Sequence, residues 1–195
     1  MAVSPDGKTV YVTGVSKATT TYLVYAYATV AYNAATGAQR WAARYHGPVP
    51  SYDTALSVAV SPGGGAVYVT GQSQGTTSGD DYATIAYNAT TGAQRWAARY
   101  KGPANGDDAA TSAAVSPSGK TVYATGYSTG TSGVTGVYAT VAYNAMTGAQ
   151  RWATRYTGPV KGANVAYSLA VSPATGTVYV TGTSGDAYTT VAYHG

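Results

Sequence analysis

Asp80-Asp81 and Asp107-Asp108 are the only adjacent acids in the sequence, and each pair follows a glycine. They account for four of its seven acidic residues, all of which are Asp. Two carboxylates with nearby carbonyls are the beginning of a Ca²⁺ site, but Ca²⁺ takes about six to eight oxygens and no loop here supplies an EF-hand-like series. Cysteine is absent, which removes disulfides, thiolate metal sites and Cys nucleophiles. His46 and His194 are the only histidines, and neither stands in a Ser-His-Asp arrangement. Gly7-Lys8-Thr9 and Gly119-Lys120-Thr121 imitate the end of a phosphate-binding loop. The earlier glycine that such a loop needs is Ala2 or Ala114, so both read as hairpin turns. No catalytic residue is assigned, and no cofactor or metal is expected from these residues.

Tyrosine is the other chemistry-bearing residue. Of the 20, fifteen recur at equivalent places in a repeat and read as packing; Tyr22, Tyr25, Tyr52, Tyr127 and Tyr167 do not recur. An aromatic ring with a hydroxyl tip suits stacking on a sugar or a protein partner. Tyr22, Tyr25, Tyr52 and Tyr127, with Asp80, Asp81, Asp107 and Asp108, are therefore the candidate ligand-binding residues. The net charge is +4, with six arginines in pairs at Arg40/Arg44, Arg95/Arg99 and Arg151/Arg155. These cations are spread one pair per repeat instead of forming a patch, which argues against nucleic acid. No apolar run is long enough for a membrane-spanning helix, and the first residues lack a charged segment followed by an apolar one, so no signal peptide is visible.

The elements that position these residues come from repetition. Tyr82–Pro103, YATIAYNATTGAQRWAARYKGP, recurs from Tyr27 and Tyr138, and a fourth copy begins at Tyr188. A second block, SPxGxxVYVTG, occurs at Ser4, Ser61, Ser116 and Ser172. Trp41, Trp96 and Trp152 are 55 and 56 residues apart. In the second copy the pattern predicts strand A at Ala55–Val60, strand B at Ala66–Thr70 closed by Gly71, strand C at Tyr82–Asn88 and strand D at Gln94–Tyr100. Ala83, Ile85 and Tyr87 alternate with Tyr82, Thr84 and Ala86, and both sides are apolar or small, as in a strand covered on both faces. Gly37, Gly92 and Gly148 each stand four residues before a Trp, and are expected to supply the positive φ of a bulged C–D hairpin onto which the same copy's Trp folds back. The paired arginines on strand D protect an outer edge. The B–C connection varies in length between copies, so the B–C and D–A connections form the face on which ligand contact is expected.

AYNAxTGAQRW, at Ala31–Trp41, Ala86–Trp96 and Ala142–Trp152, resembles the tryptophan-docking motif of the quinoprotein (PQQ-dependent) dehydrogenases. Asn33, Asn88 and Asn144 stand where that motif has Asp. The SPxGxxVYVTG half is similar to bacterial surface β-propeller repeats of the YVTN and seven-bladed types. The resemblance implies an all-β propeller of about four four-stranded blades, the first and last incomplete, forming an open arc or partial ring. Its repeats span about 1–52, 53–107, 108–163 and 164–195 of one domain. The quinoprotein enzymes also carry a Ca²⁺-ligating Glu, a catalytic Asp beside the cofactor and often a Cys pair; Glu and Cys are absent here. The preferred expectation is a non-catalytic repeat module, extracellular or at a bacterial cell surface, that binds a ligand, glycan or protein. Alternatives are a piece of a quinoprotein enzyme using PQQ with Ca²⁺, and a structural surface-layer-type repeat. Copy 1 holds only the end of a strand A and copy 4 stops before strand D. Self-association, or membership of a longer propeller, is therefore expected.

Overall fold

The computed structural model describes residues 1–17, 24–131, 136–159 and 162–194. Four antiparallel sheets follow one another along the chain. Blade 1 is β1 (Ala2–Val3), β2 (Thr9–Lys17), β3 (Tyr25–Asn33) and β4 (Gln39–Tyr45). Blade 2 is β5 (Thr54–Val60), β6 (Ala66–Gln74), β7 (Asp80–Asn88) and β8 (Gln94–Tyr100). Blade 3 is β9 (Asp108–Val115), β10 (Thr121–Ser128), β11 (Val137–Asn144) and β12 (Gln150–Tyr156). Blade 4 has three strands, β13 (Asn164–Val171), β14 (Val178–Ser184) and β15 (Ala187–Tyr193). Within each blade the strands pair in sequence order, as short hairpins require, and the first strands lie side by side, β5 against β9 and β9 against β13. The arrangement is an open propeller.

Local chemistry accounts for the hairpins. In the A–B turns of blades 1 to 3 a serine hydroxyl accepts a backbone N–H five residues on: Ser4 from Thr9 at 2.9 Å, Ser61 from Ala66 at 3.0 Å and Ser116 from Thr121 at 3.1 Å. In each C–D turn an asparagine Oδ1 accepts two N–H groups, for Asn88 those of Thr90 at 2.9 Å and Thr91 at 3.1 Å. A neutral amide oxygen serves this purpose as well as a carboxylate, which accounts for Asn in place of Asp. The first arginine of each pair clamps its own A–B turn: Arg40 donates to the Lys8 carbonyl, Arg95 to that of Gly65 and Arg151 to that of Lys120.

Two expectations are corrected. Strand B does not close at Gly71 but runs to Gln74. Gly71 lies opposite a β-bulge between Ala55 and Ser57, and an added Cβ would collide with the Thr54 carbonyl. The glycine is there because another backbone comes too close for a side chain. The second correction concerns tryptophan. Gly92 holds φ +73°, as expected. The ring above it is Trp41 of the preceding blade, whose Cδ2 would lie 2.8 Å from a Cβ at Gly92; Trp96 covers Gly148 in the same way. Trp41 Nε1 donates to the Ala89 carbonyl at 2.9 Å and Trp96 Nε1 to that of Ala145 at 3.0 Å. Strand D is the outer strand and its ring reaches sideways, so it meets the neighbouring blade's turn and not its own.

Three apolar clusters fill the seams between blades 1 and 2, 2 and 3, and 3 and 4. Phenols cross the same seams: Tyr27 donates to the Ala83 carbonyl at 3.2 Å and Tyr82 to that of Ala139 at 3.0 Å. Burial pushes the Tyr27 and Tyr82 hydroxyls well above the usual phenol range. Along the inner strands, Ser57 accepts from the Ala113 N–H and Ser112 from that of Leu169, so the recurring serines bind blade to blade.

Gly92→Ala and Gly37→Ala separate two costs. Both glycines hold nearly the same positive φ, but nothing lies within 4 Å of a Cβ at Gly37. Gly37→Ala is expected to cost about 1–2 kcal/mol for the left-handed backbone alone, and Gly92→Ala distinctly more because Trp41 must shift; equal denaturant midpoints would contradict this. Trp96→Ala is expected to cost about 3–5 kcal/mol, as for a buried aromatic. Trp152→Ala is expected to cost markedly less, since that ring is only half-buried.

Candidate functional site

The B–C and D–A connections emerge together. At the first two seams on that face, the residue that opens strand C of one blade meets a residue just before strand A of the next. At the first seam these are Tyr25 and Tyr52. Their rings lie 4.4 Å apart at 48°, their backbones form an isolated parallel bridge, and the Tyr25 N–H donates to Ser51 at 2.8 Å. At the second seam the same two places, set by the alignment of Tyr27 with Tyr82 and of Asp53 with Asp108, hold Asp80 and Asp107. The Asp80 N–H donates to Asp107 Oδ1 at 3.0 Å. At the third seam they hold Gly136 and Ala163, and the Gly136 carbonyl accepts both the backbone N–H of Asn164 and its Nδ2. One scaffold position is thus filled by an aromatic pair, an acidic pair and a small pair.

The candidate residues divide accordingly. Tyr25, Tyr52, Asp80 and Asp107 converge on the seam positions, with Tyr52 and Asp107 exposed and Tyr25 and Asp80 half-buried. Tyr127 is half-buried near the acidic seam; burial, then the charges of Asp107, Asp80 and Asp108, push its hydroxyl up. Tyr22 lies outside the described residues. Asp81 and Asp108, also expected as ligand-binding residues, are buried, so one member of each acidic pair is turned away from any ligand. Asp81 pairs with Arg99 at 3.0 Å and accepts the Ser78 hydroxyl at 2.7 Å. Asp108 accepts the N–H groups of Gly102 at 2.6 Å and Thr129 at 3.1 Å, holding the D–A loop to β9. Asp53 does the same for Gly47 at 2.8 Å. Arg99 also reaches the Ser73 carbonyl and hydroxyl, so the strand D cations are braced against strand B and are not a free basic rim.

Two residues of this face escaped the sequence reading. Gln72 donates from Nε2 to Asp80 Oδ2 at 2.7 Å; its signal is that it breaks the repeat at the position where blade 3 has Tyr127. Asn105 holds φ 55°, the one non-glycine residue at positive φ among the described residues, and its carbonyl accepts the Gly79 N–H. Asn tolerates that conformation, and it shapes the loop that presents Asp107. Asp80 feels burial first and then the charges of Asp107, Asp53 and Asp81, which together raise its carboxyl above the usual range against the opposing pull of Arg99.

Shallow hollows recur on the opposite face between successive A–B turns, one lined by Asp6, Arg40, Pro62 and Ala89 and the next by Ser61, Arg95 and Ala145. They repeat with the blades and belong to the scaffold. A quinone held with Ca²⁺ needs converging oxygen ligands, and among the described residues no three His, Cys, Asp or Glu side chains come together to hold a metal. Asp81 and Asp108 are engaged internally. No helix among the described residues is long and apolar enough to cross a membrane.

The family model described as outer membrane protein assembly factor BamB matches residues 2–136, more than half of the chain, and the chain belongs to that PQQ-like repeat family of bacterial β-propellers. No curated protein matches it. Among solved structures it is similar to the RRP9 WD40 repeats, with TM-score 0.64 and 12% identity over 100% of this chain and 50% of that one. It is also similar to Sqt1 of Chaetomium thermophilum bound to the N-terminus of a ribosomal protein, with TM-score 0.58 and 17% identity over 92% and 42%. A third similar structure is TolB of Acinetobacter baumannii, with TM-score 0.54 and 16% identity over 98% and 39%. The chain spans half or less of the length of each, and the likeness is one of fold.

The raised carboxyl gives a pH test. A proton is held more tightly at Asp80 in the folded chain than in the unfolded one, so ionising it costs stability. That cost is absent below the ordinary carboxyl value of 3.8 and complete above the raised one. Asp80→Asn is therefore expected to melt above the parent at pH 7, with the gain vanishing as the pH falls through the carboxyl range. A variant less stable than the parent at pH 7 would show that the Asp80 charge is compensated.

Proposed function

We propose that the chain is a non-catalytic β-propeller binding module that takes a protein segment across its B–C/D–A face, at the seam positions Tyr25/Tyr52 and Asp80/Asp107. The observation that carries this reading is the exchange of an aromatic, an acidic and a small pair at one structural position while the blades beneath stay constant. Positions that hold the blades repeat; a position free of that duty is where recognition can differ. An aromatic pair beside an acidic pair, each with one exposed and one half-buried member, suits a segment bearing Arg or Lys, which can stack on the rings and pair with the carboxylates. Sqt1, of similar fold, is seen with a protein terminus bound, and this supports a polypeptide partner. The family description of an outer-membrane assembly factor supports a setting at the bacterial cell envelope or exterior.

Fluorescence anisotropy with length-matched Arg/Lys-bearing and Asp/Glu-bearing peptides tests the reading. The basic set is expected to bind and to weaken with salt. Asp80→Asn with Asp107→Asn should abolish its advantage, and Tyr25→Ala with Tyr52→Ala should reduce it. Binding that ignores both pairs of substitutions would refute the seam assignment. Binding of oligosaccharides alone, or a melting shift with PQQ and Ca²⁺, would favour the glycan-binding or quinoprotein reading instead.

A further inference from the structure

An asparagine can react with its own backbone when the next nitrogen attacks its side-chain amide carbon, and a following glycine leaves that nitrogen uncrowded. The chain has five asparagines but one Asn-Gly, Asn105-Gly106, in the loop that presents Asp107. The reaction needs a free side-chain amide and a free N–H on the next residue. At Asn33, Asn88 and Asn144 both are tied. Each Oδ1 accepts two N–H groups of its own turn. The next N–H donates across to the A–B turn: Ala34 to the Lys8 carbonyl at 3.0 Å, Ala89 to that of Gly65 at 3.3 Å and Ala145 to that of Lys120 at 3.1 Å. Asn164 is 0% exposed, its Nδ2 donates to two carbonyls, and a β-branched valine follows it. Asp6-Gly7, the Asp-Gly counterpart, is tied as well. Asp6 Oδ1 accepts the Ser4 hydroxyl at 2.6 Å and the Lys8 N–H at 3.1 Å, and the Gly7 N–H donates to the Ser4 carbonyl at 2.9 Å.

At Asn105 neither group is tied. Its side chain is exposed, and among the described residues neither that side chain nor the Gly106 N–H has a hydrogen-bond partner. Packing keeps the glycine in place, since an added Cβ at Gly106 would lie 2.7 Å from the Thr129 Cβ. We propose that Asn105-Gly106 is a self-modification site that converts to aspartate and isoaspartate and so adds a carboxylate to the acidic seam. The Gly106 nitrogen bonds to Asn105 Cγ as the Cγ–Nδ2 bond breaks. The proton of that nitrogen leaves with the amide group as ammonia, and a five-membered imide closes. Solvent water then opens the ring. Attack at Cγ gives aspartate; attack at the main-chain carbonyl carbon gives isoaspartate, with a main chain one atom longer ahead of Asp107. The Asn105 carbonyl accepts the Gly79 N–H at 3.2 Å, next to Asp80, and Asp107 accepts the Asp80 N–H at 3.0 Å. Either product therefore sets a further negative charge beside this pair. The Asp107 charge already raises the Asp80 carboxyl, and the new one acts in the same direction. Under the binding reading above, the aspartate form holds a basic segment more tightly.

The full chain, kept in warm, mildly alkaline buffer and mapped by mass spectrometry, is expected to lose ammonia at Asn105 before Asn33, Asn88, Asn144 or Asn164. The loss should quicken as the pH rises, because the attacking nitrogen must give up its proton. Labelling by an isoaspartyl methyltransferase should find isoaspartate at the same residue. Asn105→Gln, which would have to close a larger ring, should abolish both signals. Asn105→Asp should co-elute with the aspartate form of the aged parent on cation exchange, and should bind the Arg/Lys-bearing peptides at least about twofold more tightly than fresh parent at low salt. An Asn105 that stays intact while another asparagine converts, a rate indifferent to pH, or labelling that persists in Asn105→Gln would overturn the site. Equal peptide affinity in Asn105→Asp and fresh parent would overturn its link to the acidic seam. The mass readout does not rest on the binding reading, so conversion at Asn105 in a chain that binds no basic peptide would support the site and refute that reading alone.

Discussion

The carbonyl of Ala89 accepts the Trp41 indole N–H and the Tyr11 hydroxyl, both from the preceding blade, and the carbonyl of Ala145 accepts the same two groups from Trp96 and Tyr68. The rest of the structure depends on this crossing. A single four-stranded sheet leaves two broad faces wet, and each face here is too apolar to stay so. Stacking the next sheet on it buries the valines and tyrosines of both. The price is a set of buried phenol and indole donors that need acceptors, because an unpartnered buried donor costs about 1–3 kcal/mol. The next blade's C–D turn supplies that acceptor at a point where a positive-φ glycine also makes room for the ring.

This constraint separates scaffold from recognition. Inner serines, strand-start Asp53, Asp108 and Asn164, turn asparagines and the crossing aromatics each hold one element to another, and each recurs. The residues at Tyr25/Tyr52 and Asp80/Asp107 sit just beyond the last of these ties, where backbone pairing fixes their place but not their chemistry. A rigid scaffold that presents variable pairs at fixed spacing is what a binding face requires. The raised Asp80 carboxyl reflects burial beside other carboxylates, and Asn105, which tolerates its positive φ, shapes the loop that presents Asp107.

Much of the fold was legible in the residues. Strand D at Gln94–Tyr100 has the same bounds in sequence pattern and structure, and the two apolar sides of strand C, Tyr82 and Ala86 on one and Ala83, Ile85 and Tyr87 on the other, are both covered, each in a different seam. What the sequence left ambiguous was which copy answers to which. Spacing places Gly92 four residues before Trp96, but the ring over Gly92 is Trp41, because a repeat pattern records what each copy contains and not how copies are turned toward one another. Gly71 read as a strand end for a similar reason, since the bulge it accommodates belongs to a different strand. At the candidate site, composition drew attention to the acidic pairs and the unrepeated tyrosines. The repeat alignment already makes Tyr25 and Asp80 equivalent; only the structure showed that each meets a residue just before strand A of the next blade, and that Asp81 and Asp108 are ties within the scaffold.

The cross-blade crossing is tested most directly by hydrogen exchange read by mass spectrometry in Trp41→Ala. Removing that ring should speed exchange in the C–D turn of blade 2, at Asn88–Ala93, and leave the turn of its own blade, Asn33–Ala38, at the parent's rate. Faster exchange confined to Asn33–Ala38 would mean that each tryptophan serves its own hairpin, and would contradict the account of how the blades are joined.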